Sequence, residues 1–217
     1  MPDRKSQAET GTIVVSGTGR VAVEPDVADL RLGVSITRPT VEAARADAAR
    51  AMDAILAAVD GAGVPRGDVR TSLLSVQPRY DYRDGRAPTL TGYELANVVE
   101  VSVRDLAKLG EVVDRTLEAG ATSMESLSFR VAEPAPAERE ARVRAMDAAR
   151  ARADVLAEAA GLSIVGVSDI VEGAAARPPI PFPKAERMAL AAADVATPVE
   201  AGSLEVAVTV NVTYRAR

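Results

Sequence analysis

The stretch from Gly92 to Leu106 constrains the fold more than any other part of the chain, because it reads as a strand that leads directly into a helix. Its apolar residues alternate, so one face of a pleated strand carries them: Leu95, Val99, Val101 and Val103. Asp105 is then placed to cap a helix, and Gly120 follows at the position where helices often end in a left-handed conformation. The stretch has no reactive constellation, so it predicts architecture rather than catalysis.

Periodicity on either side of this stretch completes one recognisable unit. Alternating and helical patterns succeed one another through residues 27–132 in the order β-α-β-β-α-β. That order is typical of a ferredoxin-like fold, in which an antiparallel sheet carries two helices on one face. The preceding strand contains Gly17 and Gly19; we expect it to extend the same sheet and to bend or bulge at the glycines.

The last third of the chain reads as an αββ extension over residues 133–217. Pro134 and Pro136 open a helix at about 137–160, and strands follow at about 164–173 and 203–215. A long loop rich in Ala and Pro, 174–202, separates the two strands. The predicted fold is therefore α+β with three main helices and an antiparallel sheet, forming a single domain over 12–217 behind a disordered tail, 1–11.

Composition excludes several classes of function. The chain has no His and no Cys, which removes the usual general base near neutral pH and the commonest metal ligands. Its net charge of −5 argues against nucleic acid as a partner. Aromatic residues make up only 3% of the chain, so Val, Leu, Ile and Ala must build the core. No cofactor and no metal is predicted.

The N-terminal residues suggest a location. Residues 1–24 contain no apolar core of a signal peptide, and no segment is long and apolar enough to span a membrane. We therefore expect the chain as printed to stay in the cytoplasm and to have no integral membrane segment. The alternative is a periplasmic or secreted protein whose signal peptide has been removed.

Three tyrosines mark the hairpin between the two central strands. Tyr80, Tyr82 and Tyr93 lie near its tip, where alternation can place them on one face of the two strands. They are candidate contact residues for another subunit. A local cluster that stabilises the hairpin and a platform that stacks a ligand are the alternatives.

The long loop contains a second candidate contact. Residues 177–183 are rich in proline and favour a polyproline II conformation, which has little entropy left to lose on docking. Pro179, Ile180 and Phe182 are therefore candidate residues of an arm that docks on a neighbouring subunit. A stiff solvent-exposed loop, or a loop folded over its own sheet, is the alternative.

Enzymatic patterns are weak throughout. Asp81, Asp84, Glu94 and Glu100 flank the hairpin and could in principle serve acid–base chemistry or hold Mg²⁺ or Ca²⁺, but their spacing matches no known metal motif. The glycine-rich segment 16–20 lacks the ending of a phosphate-binding loop and does not open a helix. No catalytic residue is predicted.

Several motifs occur together in an order that resembles a known family. They are Val15–Gly19, Pro25–Ala28, Gly92–Val101, Arg104–Leu106, Ala119–Gly120 and Thr197–Gly202. In order and spacing they resemble the SIMPL-domain family of YggE-like bacterial proteins, over about residues 12–215. Members have long been described as of unknown function.

The resemblance, rather than the spacing, supplies the functional hypotheses. It implies a structural protein that self-assembles into a homo-oligomer, ring-, channel- or shell-like, since an exported relative forms such an assembly, and it loosely implies a link to stress tolerance. The alternative is a binding module for a partner protein or a small ligand under the 174–202 loop, because the eukaryotic branch is named for association with a signalling kinase. An enzyme that uses carboxylates alone is the third hypothesis.

Overall fold

Two antiparallel sheets carry the fold, which the computed structural model describes through residues 11–82, 87–173, 180–182 and 197–217. The helices are α1 (Val41–Gly61), α2 (Leu109–Glu118) and α3 (Ala135–Ala159). The strands are β1 (Gly11–Val23), β2 (Val27–Arg38), β3 (Val69–Asp81), β4 (Thr89–Val103), β5 (Ser123–Arg130), β6 (Ile164–Glu172), β7 (Ile180–Phe182) and β8 (Ser203–Ala216). The predicted α+β class with three main helices is confirmed.

One compact unit comprises residues 25–82, 87–130 and 197–201. Its four strands lie in the order β3-β4-β2-β5, and every neighbouring pair is antiparallel. With α1 after β2 and α2 after β4, this is the predicted ferredoxin-like arrangement. The alternating residues of β4 all point into its core, where Val99, Val101 and Val103 are 2% exposed or less.

Local chemistry places the two helices of this unit. The Thr40 side chain accepts a hydrogen bond from the Ala43 N–H and caps α1. The predicted cap at Asp105 is wrong, because its side chain makes no capping hydrogen bond. A short 3₁₀ turn, Leu106–Lys108, intervenes, in which the Lys108 N–H bonds the main-chain carbonyl of Asp105. Gly120, at φ +103°, ends α2 as predicted.

The other compact unit comprises residues 11–24, 131–173, 180–182 and 202–217. β8 lies at its centre, with β1 on one side and both β6 and β7 on the other. The prediction that β1 extends the ferredoxin-like sheet is wrong, since β1 pairs along its whole length with β8. Both strands bury their alternating apolar residues against α3, which explains this choice of partner.

Gly17 and Gly19 do not mark a bulge, which was one of the two predictions for this strand. The β1–β8 register runs without interruption from Gly11 opposite Ala216 to Val23 opposite Leu204. The glycines are needed instead because the backbone of α3 lies directly on them. A Cβ on Gly17 would lie 2.0 Å from the Ala145 carbonyl oxygen, and one on Gly19 would lie 2.0 Å from that of Ala141.

The loop 174–202 is less irregular than its composition indicates. Residues 180–182 form β7, which pairs antiparallel with residues 203–205 of β8, so the segment predicted as a loop between two strands contains a short third strand. Residues 174–179 and 183–196, like 1–10, lie outside the described residues. A single domain over 12–217 stays a prediction. Within the described residues, no helix has the length and hydropathy needed to cross a bilayer.

Candidate functional site

The β3–β4 hairpin exposes an unusual amount of apolar surface. β3 is an edge strand of its sheet. Because α1 packs on β2 and β4 rather than on β3, β3 is exposed at most of its positions. Val76 lies opposite the buried Leu95, which places it on the side of the sheet that faces the helices. An apolar strand side thus faces solvent where a helix would be expected.

We call the exposed apolar residues on this side the hairpin strip. Strand register and ring contact place them together: Leu74, Val76, Tyr80, Tyr82 and Leu90. They are between 44% and 75% exposed. Side-by-side exposure of this kind marks interaction surfaces more often than isolated apolar residues do. The hairpin strip is therefore the principal candidate site.

The three predicted tyrosines belong to this region in different degrees. The rings of Tyr80 and Tyr82 lie 6.3 Å apart at an interplanar angle of 57°, so they contact each other. Tyr93 lies opposite Pro78 and is only half-buried. The structure brings Tyr80 and Tyr82 into contact, with Tyr93 opposite the preceding part of β3.

The predicted arm residues fall in or beside β7. The backbone of Ile180 pairs with Glu205, and that of Phe182 pairs with Ser203. Pro179 lies outside the described residues, as does Asp84. A subunit contact through these residues stays a prediction, as does a ligand pocket under the 174–202 loop.

A cavity of about 220 Å³ lies between α1 and the start of β3. The cavity is left open because α1 packs on β2 and β4 and does not reach across to β3. Its walls are mostly apolar and include Met52, Leu56, Val59, Val69, Thr71 and Val99. The cavity therefore opens on the same side of the sheet as the hairpin strip, next to the N-terminal end of β3.

The opposite side of this sheet carries a network of ion pairs. Arg130 donates to Asp29 from Nε at 2.6 Å, and Ser102 donates to the same carboxylate at 2.6 Å. Arg104 binds Asp68 through two hydrogen bonds, of 3.0 and 2.9 Å. Because each of these guanidinium groups already holds a carboxylate, the network is locally neutral and offers no preformed anion site.

Two carboxylates in this network have a shifted pKa. Burial alone would raise the pKa of Asp29, but hydrogen bonds from Arg130 and Ser102 outweigh it and lower the pKa below its ordinary value of 3.8. For Asp68, the hydrogen bonds from Arg104 are the largest cause and lower its pKa. Both groups are held ionised, which suits a structural role better than proton transfer.

The carboxylates that flank the hairpin are not brought together as a catalytic group. Glu94 forms an ion pair with Arg79, and Glu100 forms one with Arg70 at 2.6 Å. Within the described part of the chain, no three acidic side chains are arranged to hold a metal ion. Both carboxylates are therefore held by arginines of β3 rather than by another acidic side chain.

The free edge of β1 contrasts with that of β3. Arg144 and Arg152 reach from α3 and donate to the main-chain carbonyls of Arg20 and Ser16, each at 2.5 Å. Charged side chains over an edge discourage the addition of a further strand. Sequence reasoning missed these contacts, although the five arginines of α3, with an alanine stripe beside them, could have indicated a helix packed along a strand.

Comparison with known proteins gives consistent matches. A family model described as SIMPL, protein of unknown function (DUF541), matches residues 13–214. The chain is 33% identical over 220 residues to the 26 kDa periplasmic immunogenic protein of Brucella melitensis, which covers 98% of this chain and 87% of that protein. It is 34% identical over 145 residues to the uncharacterized protein YggE of Escherichia coli, 67% of this chain and 58% of that one. These matches confirm the resemblance drawn from the sequence.

Proposed function

The chain belongs to the SIMPL family, and on that premise we propose that it is a structural protein that assembles with further copies of itself through the β3–β4 hairpin. The hairpin strip carries this proposal, because its large apolar side chains face solvent on the side of the sheet where the other strands are covered. The homo-oligomers implied by the family resemblance support the same function.

The energetics favour a second copy as the occupant. Burying five half-exposed apolar side chains is worth roughly 4–7 kcal/mol by area, at about 1.5–3 kcal/mol for each full side chain. Association costs about 4–15 kcal/mol. A contact that buries the strips of two copies doubles the free energy gained by burial, which then exceeds the lower part of the range for the cost of association. The gain from burying a single strip only reaches the lower end of that range.

The assembly is proposed to be closed, as a ring, channel or shell, and to have no enzymatic activity or cofactor. Tyr80, Tyr82 and Tyr93 are proposed as its hairpin contacts. Pro179, Ile180 and Phe182, the last two of which lie in β7, are proposed as the contacts of the arm. A link to stress tolerance is proposed on the family resemblance alone.

The proposed location is the periplasm rather than the cytoplasm expected from the sequence. The Brucella relatives, at 33% identity over 98% of this chain, are named periplasmic proteins. Fractionation of the native organism, with an antibody to this chain, tests the proposal. Recovery with periplasmic markers is expected, and recovery with cytoplasmic markers alone would return the chain to its first predicted location.

Size-exclusion chromatography with light scattering tests the proposed assembly. Leu74 and Val14 are both 66% exposed and both lie on edge strands, so lysine at either position adds the same charge at the same exposure. Leu74→Lys is expected to lower the assembly mass at a given concentration, while Val14→Lys keeps the mass of the unmodified protein. A monomeric unmodified protein at micromolar concentration would contradict the proposal, and so would equal effects of the two variants.

A further inference from the structure

Resting on the proposed self-assembly, we infer that two copies pair their β3 strands antiparallel about a two-fold axis at Ser75, and that each Tyr80 enters the partner's cavity between α1 and β3. Four features of β3 lead to this arrangement. Its free edge is regular over only a short run, and the side chains of that run match those of a second copy. The cavity and Tyr80 lie at equal distances along the strand from Ser75, and the charged residues that flank the run already have partners within the subunit.

The free edge of β3 is regular over only five residues. A bulge at Ser72 shifts the β3–β4 register on one side of this run. Pro78 ends it on the other side, since proline has no N–H to offer a further strand. The segment Leu73–Gln77 between them contains no charge, so it is the part of the edge that can accept a strand.

A second copy of this run matches the first. Pairing about Ser75 places Leu74 opposite the partner's Val76 on the helix side of the sheet. By the same symmetry, Val76 lies opposite the partner's Leu74. Both residues lie on that side because they face Asn97 and Leu95 of β4. Leu73 lies opposite the partner's Gln77 on the other side. The contact is self-complementary, as a two-fold interface requires.

The cavity and Tyr80 are placed symmetrically about the same residue. Val69 and Thr71 line the cavity. Arg70, between them, comes five residues before Ser75, and Tyr80 comes five residues after it. In the inferred register the partner's Tyr80 therefore lies opposite the cavity, to within the one residue that the bulge adds. Aromatic side chains that fill a pocket of the partner are frequent hot spots of an interface.

The charges that flank the run do not oppose this pairing. Arg70 is bound by Glu100 and Arg79 by Glu94, both on β4 of the same subunit. On β1, by contrast, the guanidinium groups of Arg144 and Arg152 occupy edge carbonyls. β3 is therefore the more accessible of these two edges.

Single cysteines test the inferred register, because the chain contains no Cys of its own. Two opposed residues of an antiparallel pair have Cα atoms about 4.5–5.5 Å apart, which is within the range of a disulfide. Ser75→Cys is expected to form a covalent dimer when the full-length protein is oxidised. Gln77→Cys is expected to form none, since two such residues lie about 13 Å apart along the pair. Val14→Cys on β1 is the control for random collision.

The outcomes separate the inference from the proposed function. Covalent dimers of Ser75→Cys alone support the pairing. Equal dimers of Ser75→Cys and Gln77→Cys would indicate parallel strands and overturn it. Two outcomes would overturn the pairing and leave self-assembly intact. In the first, only Val14→Cys forms covalent dimers. In the second, no variant forms covalent dimers, although light scattering still shows an oligomer. A monomer throughout would overturn both.

The tyrosine contact has a test of its own. Tyr80→Ala is expected to raise the dissociation constant of the unmodified chain about tenfold or more, as loss of a seated aromatic residue does. Tyr82→Ala, which removes a more exposed ring, is expected to change it by less. Sedimentation velocity over a dilution series measures both constants, and equal effects would contradict the seating of Tyr80.

Discussion

At the scale of single residues, Gly17 and Gly19 show how a short motif depends on a distant one. Six alanines of α3, one at every fourth position from Ala137 to Ala157, are buried, and the carbonyl oxygens of two of them lie 2.0 Å from where Cβ atoms on the glycines would be. Helix and strand therefore approach closely because both contact faces are small. The two patterns, far apart in the sequence, form one contact.

Gly17→Ala is expected to destabilise the protein by about 3 kcal/mol or more, because α3 must move to admit a methyl group. Gly67→Ala is the matched control, since nothing lies within 4 Å of its added Cβ. Chemical denaturation of both variants measures the difference in unfolding free energy. Equal stabilities would mean that α3 does not lie on β1 as described.

Asp29 predicts a dependence of stability on acid. Its folded pKa lies below its ordinary value of 3.8, so its stabilising contribution is present above that value and is lost as the pH falls through the folded pKa. Asp29→Asn is expected to cost about 1–2 kcal/mol at neutral pH and to flatten the acid limb of the stability profile. Asp105→Asn, at a more exposed carboxylate, is the control and is expected to cost less stability at neutral pH; an equal cost would contradict the role given to Asp29.

At the scale of elements, β4 determines the ferredoxin-like unit, since it pairs with β3 on one side and β2 on the other. Strong alternation let the sequence predict β4, β8 and their neighbours closely. The partner of β1 could not be predicted, because alternation shows which side of a strand is buried but not which sheet it joins. The charged sheet face was missed because its ion pairs join residues from four strands.

Val101→Asp is expected to prevent folding, because Val101 is fully buried in β4 and an unpaired carboxylate there costs several kcal/mol against a total stability of about 5–15 kcal/mol. Circular dichroism during thermal unfolding tests the variant. Glu100→Asp, at an adjacent residue on the opposite side of the strand, is the control and is expected to fold. A cooperative transition in Val101→Asp would mean that the register of β4 is wrong.

At the scale of the whole molecule, each unit has its own core. The segment 25–130 is inserted between β1 and α3, within the unit that has β8 at its centre. The family model spans both units. The candidate site belongs to the inserted unit alone, where β3 extends beyond the cover of α1. The sequence could predict Tyr80 and Tyr82 as candidate contact residues, but that β3 is an uncovered edge follows only from the strand order.

Native mass spectrometry of the unmodified chain over the micromolar range shows whether the protein assembles with copies of itself. Self-assembly through paired β3 strands predicts oligomers at even multiples of the 22.6 kDa protomer, which give way to the dimer and then to the protomer as the concentration falls. A single species at 22.6 kDa at every concentration would contradict the account.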